Sequence, residues 1–227
     1  MVVVLVLGCG GERSGEGNAT LWVTQDRGAK IMLVRTVPAG LTALQALREE
    51  ADVETRYGGR FVQSIEGIEG NTSARRDWFY FVNGIEVDRG AAEYRLHAGD
   101  VEWWDFRSWR ERMREPVVVG AFPEPFLHGF DGQTRPAAVR YLTPALARLG
   151  RSLGRLVKAR SVAPATQTVP DEANLLMLVP GGSSMRGETR TPGAAAGSPV
   201  RFVVSAGAAR RLVKDIGVFR FRYRVPA

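Results

Sequence analysis

Along the first half of this chain the apolar positions recur mainly with the period of strands. Residues 19–26 and 29–37 alternate or run apolar on either side of Asp26-Arg27-Gly28, a pattern that predicts a β-hairpin. Pro38-Ala39-Gly40 breaks the second strand. Thr42 can then cap a short helix over residues 43–50, with Leu44, Leu47 and Ala51 on its apolar face. Residues 53–57 and 61–65 are short strand candidates separated by Gly58-Gly59, and Gly67 and Gly70 bracket another turn. A dense aromatic strand over residues 78–82 ends at Asn83-Gly84, and another over residues 101–106 follows Gly99-Asp100. Strands, one helix and further strands in this order predict an α+β fold: a β-grasp-like domain with one helix on a mixed sheet.

Beyond residue 106 the pattern changes. Residues 108–114 read as a short basic helix and Val117-Val118-Val119 as a strand. Phe122-Pro123-Glu124-Pro125-Phe126 reads as a stiff connector, because each proline fixes its own φ and restrains the residue before it. The boundary is expected there, giving a first domain over residues 19–122 and a smaller α/β domain over residues 123–227. In the second domain residues 137–141 suit a strand, and Thr143-Pro144 opens an amphipathic helix running to about Lys158. Apolar runs at 174–179 and 202–205 suit buried strands. The stretch 181–198 between them, rich in Gly, Ser, Thr and Pro, reads as a loop. A helix at 208–214 and a strand at 218–225 close the chain.

The net charge of +7 is unevenly placed: the first domain is slightly acidic and the second strongly basic. The single cysteine, Cys9, follows an apolar run from Met1 to Leu7. Val6-Leu7-Gly8-Cys9 has the form of a bacterial lipoprotein cleavage box, and Gly10 to Asn18 has the composition of a tether. Residues 1–18 are therefore expected to be signal and tether, with Cys9 lipidated and the rest extracytoplasmic. The run is short for a signal and has no basic segment ahead of it, which a start further upstream would explain. Gly8-Cys9-Gly10 does not open a dinucleotide-binding turn, since Arg13 stands where the third glycine belongs and a strand follows instead of a helix.

Candidate chemistry is sparse. His97 and His128 lie in loops with no second ligand at metal spacing, so no metal site is expected. No serine or cysteine has a nucleophile's context, and Glu102 and Asp105 flank Trp103-Trp104 without forming an evident acid/base pair. No catalytic residue is assigned and no enzyme is expected. The basic helix and the closing Arg220-Phe221-Arg222-Tyr223-Arg224 suit a solvated face and a half-buried strand better than a nucleic-acid interface, and an anionic membrane suits the charge better than DNA. The aromatic block is either a small core or a gripping surface, because both faces of strand 78–82 carry aromatics. If it grips, the ligand-binding residues are Trp78, Tyr80, Asn83, Trp103 and Trp104, with Tyr57 and Phe61 from the neighbouring strands.

Four blocks in order resemble a known family: Gly40-Leu41-Thr42-Ala43-Leu44-Gln45-Ala46-Leu47, then residues 59–68, then Trp78-Phe79-Tyr80-Phe81-Val82-Asn83-Gly84, then Ala98-Gly99-Asp100-Val101-Glu102-Trp103. Over about residues 19–106 the chain looks like the transcobalamin-like C-terminal domain family, a domain of unknown function in secreted and lipid-anchored bacterial proteins. The resemblance implies a β-grasp-like fold and a non-enzymatic extracytoplasmic role. In the animal vitamin B12 carriers a similar domain closes over a ligand held against a helical barrel, which no segment here resembles, and no histidine that would ligate cobalt carries over. The expectation is a lipid-anchored binding protein for a corrinoid or similar bulky cofactor-like molecule, handed to a transporter. No cofactor of its own is expected; cobalamin enters only as a candidate ligand. The competing expectation is a structural or adhesive envelope module with no small-molecule ligand.

Overall fold

The computed structural model describes residues 17–59 and 61–227. The lipoprotein box and Cys9 lie outside the described residues. Strands β1 (Asn18–Gln25) and β2 (Lys30–Pro38) form the expected hairpin. Helix α1 (Ala43–Glu50) follows, held by a reciprocal cap in which Thr42 Oγ1 accepts from the Gln45 N–H and Gln45 Oε1 accepts from the Thr42 N–H. Strands β3 (Val53–Arg56), β4 (Phe61–Ile65) and β5 (Ile68–Glu69) make a separate antiparallel three-stranded sheet. The aromatic strand β6 (Arg76–Val82), the short β7 (Ile85–Glu86) and β8 (Val101–Ser108) return to the first sheet, whose order is β2-β1-β8-β6-β7. The first strand β1 runs parallel to the last, β8, with antiparallel partners on either side. That is the arrangement expected of a β-grasp-like, α+β unit.

Asn83-Gly84 turns the chain between β6 and β7 with φ of 52° and 77°, the left-handed pair that a tight hairpin turn requires. Asn83 itself is buried. Its Nδ2 donates to Asp100 Oδ1 (2.7 Å) and the Gly129 carbonyl (3.0 Å), while its Oδ1 accepts from the Val101 N–H (2.8 Å).

The second half begins with the short helix α2 (Glu124–Leu127) and builds a second five-stranded sheet from β9 (Ala137–Tyr141), β10 (Ser161–Pro164), β11 (Asn174–Val179), β12 (Met185–Thr189) and β13 (Val200–Ser205), in the order β10-β9-β11-β13-β12. Its strands are parallel except the edge strand β12. Helices α3 (Ala147–Leu156) and α4 (Ala206–Lys214) pack against it and each other. No helix of the described residues is long and apolar enough to cross a membrane.

Four expectations are corrected. Residues 109–114 are not a helix, because the carbonyls of Arg112 and Met113 turn inward to accept from the buried Arg107 guanidinium (3.0 and 2.8 Å). Residues 181–198 are not wholly loop, since β12 pairs along β13 within them. Residues 218–225 form turns and a single bridge, not a strand, with Phe221 at a φ of 64°. The expected strand at residues 117–119 is likewise reduced to one bridge, between Val117 and Ile85.

Candidate functional site

The alternation of β6 and β8 sorts the aromatic block onto the two faces of the first sheet. Trp78, Val82, Trp104 and Phe106 join the core under α1, whereas Phe81, Val101 and Trp103 face the other way, with Trp22. That second face is closed by Val118 and Ala121 from the segment after β8, and by Tyr223 from the chain's end. Trp103 packs edge-on against Tyr223 at 5.5 Å, and Phe221 meets Trp22 at 4.7 Å.

Of the two readings of the aromatic block, Trp78, Trp103 and Trp104 take the core and not the open gripping face. All three are buried, and each indole N–H already has a protein acceptor: the Ile68 carbonyl at 2.7 Å, Thr24 Oγ1 at 2.8 Å and Glu102 Oε1 at 2.5 Å respectively. Tyr80, half-buried, stacks on Trp104 at 4.8 Å, and its hydroxyl donates to the Arg89 carbonyl. Burial raises its pKa far above the usual phenol value, with the neighbouring Glu102 adding to the shift. These groups and Asn83 fill the fold rather than line a groove.

Tyr57 and Phe61 are placed differently. They follow β3 and open β4, with rings 6.5 Å apart and edge-on, and Tyr57 is 78% exposed. Tyr57 also holds a φ of 55°, a conformation a bulky side chain adopts only at a cost. Exposed aromatics on a strained turn are poor stabilisers of their own fold.

A cleft of about 410 Å³, lined by Val23, Met32, Leu33, Ala51 and Ile65 with Glu50 and Glu66 among its walls, lies at the Ile65 end of β4, away from Phe61. A β-bulge builds it. Val23 pairs with Leu33 and Thr24 with Ile31, so Met32 is left unpaired and turns, with Leu33, toward the apolar core. The rim acids are tied down: Glu50 lies 3.4 Å from the Arg35 Nε, and Glu66 accepts from the Asp52 N–H at 2.8 Å. Sequence reasoning missed this cleft. The available signal was the run Ile31-Met32-Leu33-Val34, which is apolar on both faces where a hairpin edge should alternate.

The two histidines are half-exposed in loops. His97 lies 3.5 Å from Asp100 and His128 2.5 Å from Glu124. Burial raises the pKa of both carboxyls, opposed by hydrogen bonds to each. Among the described residues no group of three or more His, Cys, Asp or Glu side chains is arranged to hold a metal ion.

No curated protein matches the sequence. Among solved structures, the chain is similar to a candidate metal binding protein from Ruminococcus gnavus ATCC 29149, at 15% identity and a TM-score of 0.32 over 41% of this chain and 98% of that one. It is also similar to haptocorrin in complex with Cbi, at 19% identity and a TM-score of 0.33, over 40% of this chain and 25% of that one. This chain thus matches only a quarter of haptocorrin's length. Residues 40–108, from the turn before α1 to the end of β8, match the family described as a domain of unknown function (DUF4430).

Proposed function

We propose that this chain is a non-enzymatic extracytoplasmic binding protein, anchored by lipid at Cys9, for a bulky molecule with a flat apolar surface. The carrying observation is the cleft at the bulged β2 strand, a concave site of the usual volume for small-molecule recognition that combines five apolar side chains with Glu50 and Glu66. Tyr57 and Phe61 supply exposed aromatic surface at the far end of the β3–β4 hairpin, whose Ile65 end lines the cleft, so a bulky ligand would have to span both. A corrinoid is the first ligand to try, because the four-block pattern resembles the transcobalamin-like family. Such a ligand exceeds the cleft and would be held by one edge, leaving the rest for a receiving transporter. The anchor rests on Val6-Leu7-Gly8-Cys9.

Calorimetric titration of the full chain, in nonionic detergent, with cobalamin and cobinamide tests the ligand. Tyr57→Ala and Met32→Glu are each expected to weaken binding about ten-fold or more, equivalent to about 1.4 kcal/mol. Absence of heat at high micromolar corrinoid would remove that ligand, and unchanged affinity in both variants would remove the site. The anchor is tested separately: Cys9→Ala should abolish labelling by radioactive palmitate and release the protein from membranes. Unaltered processing and retention would refute it.

The adhesive reading has one observation in its favour. Strand β2 is a sheet edge with Ile31 and Val34 exposed, to which a partner strand could be added.

A further inference from the structure

Where the two sheets meet, arginines outnumber the carboxylates that could neutralise them. Glu115, only 4% exposed, is approached by Arg27 at 2.6 Å, Arg224 at 3.0 Å and Arg112 at 3.6 Å. Its backbone N–H donates to Oε2 of the buried Glu86, which lies 3.7 Å from both Arg107 and Arg114. Arg107 is fully buried, lies 3.6 Å over the Phe79 ring, and keeps an Nε with no hydrogen-bond partner among the described residues.

Two cavities, of about 480 and about 470 Å³, adjoin this network and share Arg112, Glu115, Tyr223 and Arg224 as walls. Arg186 lines the first and Arg222 the second, and neither is in an ion pair among the described residues. Of the other acids in these walls, Asp26 is held by Arg76 (2.6 Å) and Glu188 by Arg201 (2.7 Å). Glu111 remains, exposed at the rim.

Like charges gathered around one crevice repel one another, and an anion entering the crevice relieves that cost. Guanidinium forks match phosphoryl oxygens in pairs, which a lysine ammonium cannot do. The positive groups are spread along two neighbouring cavities with common walls rather than focused on one point. We propose that this junction is a binding site for a small molecule carrying two or more linked phosphoryl groups. Arg112 and Arg224 would stand at its centre and Arg186 and Arg222 at its two ends. The site is distinct from the apolar cleft and does not depend on it.

The test is a calorimetric titration of the full chain with tripolyphosphate, using sulfate as the singly substituted control. One equivalent should bind, more tightly than sulfate. Arg186→Gln and Arg222→Gln, both exposed and outside the Glu115 ion pairs, should each weaken binding about ten-fold with little change in melting temperature. The triple variant Arg148→Gln, Arg151→Gln, Arg155→Gln removes three charges from α3, more than either single variant, and should leave the affinity within about two-fold. Equal weakening by that variant, or binding of several equivalents, would mean diffuse attraction to a basic protein and overturn the site. So would no binding at millimolar tripolyphosphate. Tyr57→Ala should leave this titration unchanged, which separates its outcome from that of the cleft.

Discussion

Glu102 and Asp105 are three residues apart on β8, yet the pleat sends them to opposite faces and opposite fates. Asp105 is buried among donors: Thr24 Oγ1 at 2.6 Å, the Arg27 and Gly28 N–H groups at 3.1 Å, and the Tyr223 hydroxyl at 2.9 Å. Glu102 is buried with one donor, the Trp104 indole, and its Oε2 has no partner among the described residues. Burial pushes its pKa well above the usual carboxyl value, the Trp104 hydrogen bond opposing and Asp100 adding to the rise. Strand alternation alone thus holds the two carboxyls on opposite faces of the sheet.

The sign of the pH effect follows. Between the unfolded carboxyl value of 4.5 and the raised folded value, the native state holds a proton that the unfolded chain has released. Stability from this group is therefore full at low pH and falls as pH rises. Glu102→Gln keeps an oxygen for Trp104 and has nothing to ionise. Urea unfolding should find the variant more stable than the parent by about 1–3 kcal/mol near pH 8, and less so near pH 5. An identical difference at both pH values would exclude Glu102 as the titrating group.

At the level of elements, the sequence carries clear signals where local period, caps and turns decide the structure, and weak ones where side-chain contacts override them. The first hairpin, α1 with its Thr42 cap, β4, β6, β8, β9 and β11 all announce themselves through period, caps and turn residues within a few positions. The failures arise where a side-chain contact overrides the local period, whether its partner is near in sequence, as Arg107 is, or distant, as Trp22 and Trp103 are. Residues 109–114 carry the charge pattern of a basic helix but instead wrap the Arg107 guanidinium. Residues 220–224 alternate Arg with aromatics as a strand would, but Phe221 and Tyr223 are drawn onto Trp22 and Trp103. Strand β12 offers little apolar signal beyond Met185, because an edge strand needs only one buried contact row. The candidate site was legible only in part. Tyr57 and Phe61 were named, but Met32 and Leu33 reach the cleft through a bulge that no turn residue marks. The aromatic block was identified, but its cover comes from 118 residues downstream, where Tyr223 reaches Asp105.

For the whole molecule, the proline-rich segment 122–126 lies between the two five-stranded sheets in sequence and packs on the second of them. Phe122 and Phe126 meet Phe202 of β13 at 5.8 and 5.4 Å, and one continuous cluster runs from α1 to α4. The chain's end then crosses back to the first sheet. Gly28 and Gly120 make room for it, since a side chain at either would collide with the backbone at Phe221. An element from the second half thus completes the core of the first, so the halves are expected to unfold together. Tyr223→Ala empties the space against Phe81 and Trp103 and removes a hydroxyl donor from Asp105. Its cost should be about 3–5 kcal/mol, against about 1 kcal/mol for Tyr223→Phe, which keeps the ring and loses only the hydrogen bond. Tryptophan fluorescence and far-ultraviolet circular dichroism should then report one coincident transition in both variants, displaced to lower denaturant. Fluorescence falling first, with the circular dichroism of the second sheet persisting, would show that the halves are independent and that Tyr223 merely docks one on the other.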